Sequence, residues 1–223
     1  MIFAAFTIKR LKNFLPLILI LLLGLFLRLY KIGQAFPFDH DQEFVANSAY
    51  NFFVNHKLTL IGQELSSPGF FLGPLHNWIL FAPYKICNLS PACVPYFFTT
   101  VGLITVVLLY LAVKKVTDKK TAVVAAAIYA FSFVAITSER GASSNFFLFL
   151  FSLAIFFSLH KYFSWKDSAL PLGAFIAGLA TVNFNPVFIF SSLAFFTTSL
   201  LREKRKLSLY LLSIAAFLIN YLP

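Results

Sequence analysis

The chain has 223 residues, of which 60% are hydrophobic and only 12% charged. A soluble domain carries about 25% charged residues, so the composition argues against a soluble enzyme or binding module. The net charge of +10 comes without the basic-aromatic groove pattern of a nucleic-acid binder, which sets that class aside as well.

The first apolar run, residues 14–30, follows Lys9, Arg10 and Lys12. That charged start resembles a signal peptide. The apolar part is too long, however, and no small-x-small cleavage site follows. It reads as an uncleaved anchor whose Leu, Ile and Phe outweigh one Arg28, which snorkels from the end of the run. Six further spans are expected at 94–115, 121–138, 144–163, 168–183, 186–201 and 207–223. The seven runs are 16 to 22 residues long, against about 20 needed to cross a bilayer.

The run 74–89 is ambiguous, being short, broken by Pro83 and polar at His76, Asn77 and Lys85. Charge decides its reading. If it does not span, the N-terminus and the loops 114–120, 160–167 and 201–206 share one side. That side then holds 13 of the 18 Lys and Arg but three of the eight acids, and the other side is balanced. The positive-inside rule therefore puts the N-terminus in the cytoplasm of a cell-membrane protein and the C-terminus outside. The expectation is an all-α polytopic protein with seven spans and one transmembrane domain over 1–223. Residues 33–93 form a long outer loop, with 74–89 lying on or dipping into the membrane.

That loop opens on FPFDHDQEFVANSAYNFF, residues 36–53, which gathers Asp39, Asp41 and Glu43 around His40. Val45, Ala49, Phe52 and Phe53 then recur at helical spacing, giving an amphipathic surface helix over 42–56. Asp39 with Gln42 three residues later fits a capping box. Acids in a first turn also suit the helix dipole. Three acids in five residues nevertheless exceed what a cap needs. A turn-rich stretch, GQELSSPGFFLGPLHNW at 62–78, leads to a second surface helix that Pro74 starts. Phe70, Phe71, Trp78, Phe81 and Tyr84 read as interface anchors.

Cys87 and Cys93 allow a disulfide in an oxidising compartment, although two ordinary apolar cysteines are the favoured reading. Asn88-Leu89-Ser90 is a formal glycosylation sequon, discounted for the following Pro91 and the nearby membrane. Two more polar islands lie at 137–145 and 181–186. In the first, Glu139 and Arg140 either pair with each other at the surface or serve a site on the outer face.

The order of these features resembles the GT-C type of membrane glycosyltransferase. Arg28-Leu29-Tyr30 closes the first span, and Asp39-His40-Asp41-Gln42 opens the outer loop. Gly73-Pro74-Leu75 starts the surface helix, a basic turn runs from Lys114 to Lys120, and Ser138-Glu139-Arg140 follows the third span. The nearest likeness is to the bacterial and archaeal families related to protein O-mannosyltransferases and lipid A aminoarabinose transferase. The resemblance implies transfer of a hexosyl or pentosyl sugar from a polyprenyl-phosphate lipid to an acceptor on the outer membrane face. It implies Asp41 as general base ahead of Asp39, with Glu139 as a second acidic site. Arg140, His76, Lys57 and Lys85 are its candidates for the carrier phosphate.

Relatives can hold a divalent metal through a His or Glu before the surface-helix Pro, where this chain has Leu72 and Gly73. They also continue beyond a seventh span, so a C-terminal part of the family is expected to be absent here. Two other classes stay open: a transporter or flippase-like subunit, and a non-catalytic membrane scaffold.

Overall fold

The computed structural model describes residues 2–65, 68–164, 166–184, 186, 188–201 and 206–221, with side chains from Phe14 onward except Ala35. The charged side chains of Lys9, Arg10 and Lys12 lie outside the described residues. So do most of the basic loop 201–206, Asn185 of the third polar island and the last two residues of the seventh run. The described residues are mostly helical. In chain order they form α1 (Ile2–Leu29), α2 (Ile32–Ala35), α3 (His40–Phe53), α4 (Leu75–Ile86), α5 (Val94–Val116), α6 (Lys119–Phe131), α7 (Phe133–Arg140), α8 (Phe147–Phe163), α9 (Ala169–Asn183), α10 (Phe188–Ser199) and α11 (Leu207–Leu218). The β pairing among the described residues is a single antiparallel bridge, Glu64 to Phe71.

Each of the seven expected spans falls on helix, but length qualifies fewer of them. Pro91–Val116 and Ser144–Phe163 are long and apolar enough to cross a membrane. The expected span 121–138 is two helices, α6 and α7, meeting at 49° and counting as a third crossing if taken together. Phe14–Leu29, Ala169–Asn183, Phe188–Ser199 and Leu207–Tyr221 are apolar but shorter. At 1.5 Å per residue the last three of these fall short of a hydrocarbon core about 30 Å thick, whereas α1 as a whole has 28 residues.

The chain divides into two compact units. The first comprises residues 1–37 and 95–142, the second 38–94 and 143–223. In the first unit, α1 packs on α6 and α7. Its core joins Leu17 and Ile20 of α1 to Val106 and Tyr110 of α5 and to Ala122, Ala126 and Ala130 of α6. The small residues of α6 let the neighbouring backbones approach closely. Asp118 caps α6 by accepting from the Thr121 N–H at 2.7 Å.

α6 stops where Ser132 takes extended angles (φ −62°, ψ 122°), and the Ser132 hydroxyl accepts from Ala135 N–H to start α7. Such a break leaves carbonyls without helical partners, and inside a membrane they need replacements. Arg28 supplies one, donating Nη1–H to the Ala130 carbonyl at 2.7 Å. Arg28 does not snorkel, as the sequence reading has it. It is fully buried.

In the second unit α9 lies against α8, α10 and α11. Its buried face is built from Ala169, Gly173, Ala174, Ala177, Gly178 and Ala180. These are the small residues that membrane helix interfaces favour. Leu170, Ile155, Tyr162 and Phe195 fill the space around them. α3 packs on α4, with the Phe52 and Phe81 rings stacked at 4.8 Å.

The preference for two ordinary cysteines is overturned. Cys87 and Cys93 form a disulfide, with Cα atoms 6.1 Å apart. The turn after α4 brings them together through two successive left-handed residues, Asn88 and Leu89. Local spacing alone does not reveal that turn.

Candidate functional site

The acid-bearing start of α3 has the local geometry that its sequence specifies. Asp39 is the N-cap, and its Oδ1 accepts from the Asp41 N–H at 3.1 Å. Gln42 Oε1 accepts from the Asp39 N–H at 3.3 Å, completing the capping box. Asp41 is the second residue of the helix, so its carboxylate is not needed as the cap. It is exposed, as are Asp39, His40 and Glu43. Gln63 donates its side-chain N–H to Asp41 Oδ1.

Gln63 stands on a narrow hairpin. The Gly62 N–H donates to the Leu72 carbonyl at 2.8 Å, and the Leu72 N–H donates back to the Gln63 carbonyl at 2.9 Å. At the tip, the Gly69 N–H donates to Glu64 Oε1 at 2.8 Å. Gly62 has no space for a side chain, because a Cβ there would run into the backbone of Leu72 and Gly73. The hairpin is tied to the end of α9, since the Gly73 N–H donates to the Val182 carbonyl at 2.9 Å. Asn183 Oδ1 then accepts from the Leu75 N–H at 3.2 Å. Asn183 is thus the cap that α4 lacks from its own N-terminal residues.

An apolar groove of about 560 Å³ lies beside this hairpin, lined among others by Phe70, Phe71, Leu72, Val182 and Ile189. Thr181 and Tyr221 give it a polar edge.

The other expected phosphate ligands of this unit differ in what they offer. His76 is buried, with its ring edge-on to Phe147 and Phe184 at 5.9 and 6.1 Å. Burial pulls its imidazole down from the ordinary 6.5 to about 4. Near neutral pH it is therefore an uncharged ring. Lys57 and Lys85 are exposed. The Lys85 ammonium sits 4.9 Å from the centre of the Phe53 ring.

Glu139 and Arg140 belong to the first unit and do not pair with each other. Glu139 is fully buried and takes both arms of Arg28, Nε to Oε2 at 2.5 Å and Nη2 to Oε1 at 2.9 Å. Arg140 turns to the end of α1 and donates to the carbonyls of Tyr30 at 2.8 Å, Arg28 at 3.3 Å, and Leu27. These are the carbonyls that a helix C-terminus leaves open.

Among the described residues, no three His, Cys, Asp or Glu side chains gather as a metal site requires. Leu72 and Gly73 likewise offer no ligand before Pro74. The described residues therefore do not fit the divalent metal that the resemblance allows.

Sequence reasoning missed Gln63 and Asn183. The Gly and Pro around 62–74 mark a turn but do not say which side chain it delivers to Asp41. The island at 181–186 is visibly polar, yet nothing in it names the start of α4, 108 residues away, as its target.

The chain matches the family model described as dolichyl-phosphate-mannose-protein mannosyltransferase over residues 68–223. It is 30% identical over 204 residues to an uncharacterized protein of Aquifex aeolicus (strain VF5), covering 88% of this chain and 39% of that protein. The chain thus spans about two fifths of the length of this curated relative. No solved structure matches it.

Proposed function

We infer the function from an established premise: this chain belongs to the dolichyl-phosphate-mannose-protein mannosyltransferase family. It is a membrane protein of glycosyltransferase type. The finer reading is that it moves a sugar from a polyprenyl-phosphate donor to an acceptor hydroxyl at the outer face of the cell membrane. The observation that carries this is the Asp41 carboxylate, exposed at a helix start and spared from capping by Asp39.

In the proposed step the acceptor oxygen bonds to the anomeric carbon, and the bond from that carbon to the phosphate oxygen breaks. The electron pair leaves with the polyprenyl phosphate, and the acceptor proton passes to Asp41. Lys57 and Lys85, both exposed in the same unit, are proposed to meet the departing charge. Arg140 and Glu139 belong to the first unit, and their expected parts as phosphate ligand and second acid stay outside this step. The groove beside the hairpin gives a prenyl chain an apolar bed. The transporter and scaffold readings have no observation in their favour.

The experiment is a transfer assay in native membranes with a radiolabelled sugar on two donors. Label from the polyprenyl-phosphate sugar should reach the acceptor fraction without nucleotide sugar present. Transfer from the nucleotide sugar alone, with the lipid donor inert, would sink this reading.

The orientation has its own test. Disulfides form and persist mainly in oxidising compartments, so Cys87 and Cys93 support placing the end of α4 outside the cytoplasm. A membrane-impermeant maleimide added to intact cells should label these cysteines only after an impermeant reductant. Labelling only after lysis would reverse the assignment, and labelling without reduction would remove the disulfide that supports it.

A further inference from the structure

We propose that Gln63 is a positioning residue that aims the Asp41 carboxylate at the acceptor. This rests on the reading of Asp41 as general base and adds the device that makes an exposed acid directional.

An aspartate in the first turn of a surface helix ordinarily has several rotamers open to it, and solvent on most sides. A general base needs one fixed lone pair at hydrogen-bond distance from the proton that it takes. The Gln63 side-chain N–H occupies Oδ1 of Asp41. That leaves Oδ2 to take the proton of the acceptor hydroxyl.

The amide can act this way because its base is rigid. Gln63 accepts from Leu72 N–H through its own carbonyl, and Gly62 next to it donates to Leu72. Gly62 packs so closely on Leu72 and Gly73 that no side chain fits there. Gly73 in turn donates to Val182 at the end of α9. A continuous line of hydrogen bonds therefore runs from α9 through the hairpin to the carboxylate. Sites supported in this way hold their geometry better than sites on a free loop. The Asp39 capping box fixes the other side of the arrangement, since it holds the start of α3 without using Asp41.

The test compares Gln63→Ala, Gln63→Glu and Asp41→Asn in native membranes with the polyprenyl-phosphate donor. Gln63→Ala is expected to lower kcat about tenfold while KM for the lipid donor stays within about twofold, because aim is lost and donor binding is not. Gln63→Glu should move the rate optimum to lower pH. Its added carboxylate can donate to Asp41 only when protonated, and two acids at one site share a proton. A merely structural hydrogen bond would not move the pH profile.

Wild-type kcat in Gln63→Ala, or a wild-type pH profile in Gln63→Glu, overturns the proposal. The Asp41→Asn arm separates the two claims. If it is inactive while both Gln63 variants behave as wild type, only the positioning role fails. If it is fully active, the reading of Asp41 as base fails and the role of Gln63 falls with it.

Discussion

Asp41→Asn is expected to lower sugar transfer at least about a hundredfold, the lower end of what a general base contributes, with normal membrane insertion. The substitution isolates proton acceptance. The Asn side chain has the same shape, and its carbonyl oxygen can still accept from Gln63 in the place of Oδ1. The helix start is unaffected, because Asp39 and Gln42 form the capping box. The lost charge near a helix N-terminus costs about 0.3–1 kcal/mol, too little to unfold the unit. What Asn lacks is a basic oxygen for the acceptor proton.

Asp39→Asn is the matched control, since Asn is as good an N-cap as Asp. That variant should keep its activity. Transfer rates normalised to the amount of inserted protein decide the matter. Full activity in Asp41→Asn removes the catalytic assignment, and loss in Asp39→Asn alone would hand the role to the neighbouring acid.

These two acids also mark where sequence is informative. A capping box is local: four consecutive residues contain both partners, so Asp39 and Gln42 could be paired on paper. The same holds for α3, whose apolar spacing gives the face that the structure buries at Val45 and Ala49. The seven apolar runs were visible for the same reason.

The break at Ser132 was not visible, because Ser132 stands in an otherwise continuous apolar stretch and carries no Gly or Pro signal. Partners far apart in the chain were hidden as well. Gln63 meets Asp41 across 22 positions and Asn183 meets Leu75 across 108. Arg28 lies 111 positions from Glu139. Charge pattern suggested Arg140 for Glu139 because they are adjacent, yet adjacent residues on a helix point about 100° apart and do not face each other.

Breaking the Arg28–Glu139 pair from one side is expected to cost about 3–5 kcal/mol, because the charge left behind stays buried without its counterion. The geometry makes relief difficult. Both side chains are fully buried, and the two oxygens of Glu139 take Arg28 in a two-pronged grip. Arg28 Nη1 also holds the carbonyls of Ala130 and Gly24, at 2.7 and 3.2 Å. α5 closes against the carboxylate at Gly102, where a Cβ would collide with Glu139, so water has no ready way in. Glu139→Gln should therefore lower the melting temperature sharply in detergent, and Arg28→Met should do the same.

The double variant Arg28→Met with Glu139→Met should lose much less than the sum, since replacing a whole buried pair by apolar side chains is often close to neutral. Its remaining cost is the Ala130 carbonyl that Arg28 satisfies at the break between α6 and α7, about 1–3 kcal/mol for an unpaired buried group. A Glu139→Gln protein that melts like wild type would refute the pair as the clamp of this unit. The double variant also separates clamp from chemistry. If it folds and transfers sugar, Glu139 serves the bent helix. If it folds and is inactive, the carboxylate is needed for more than holding Arg28, as the second acidic site requires.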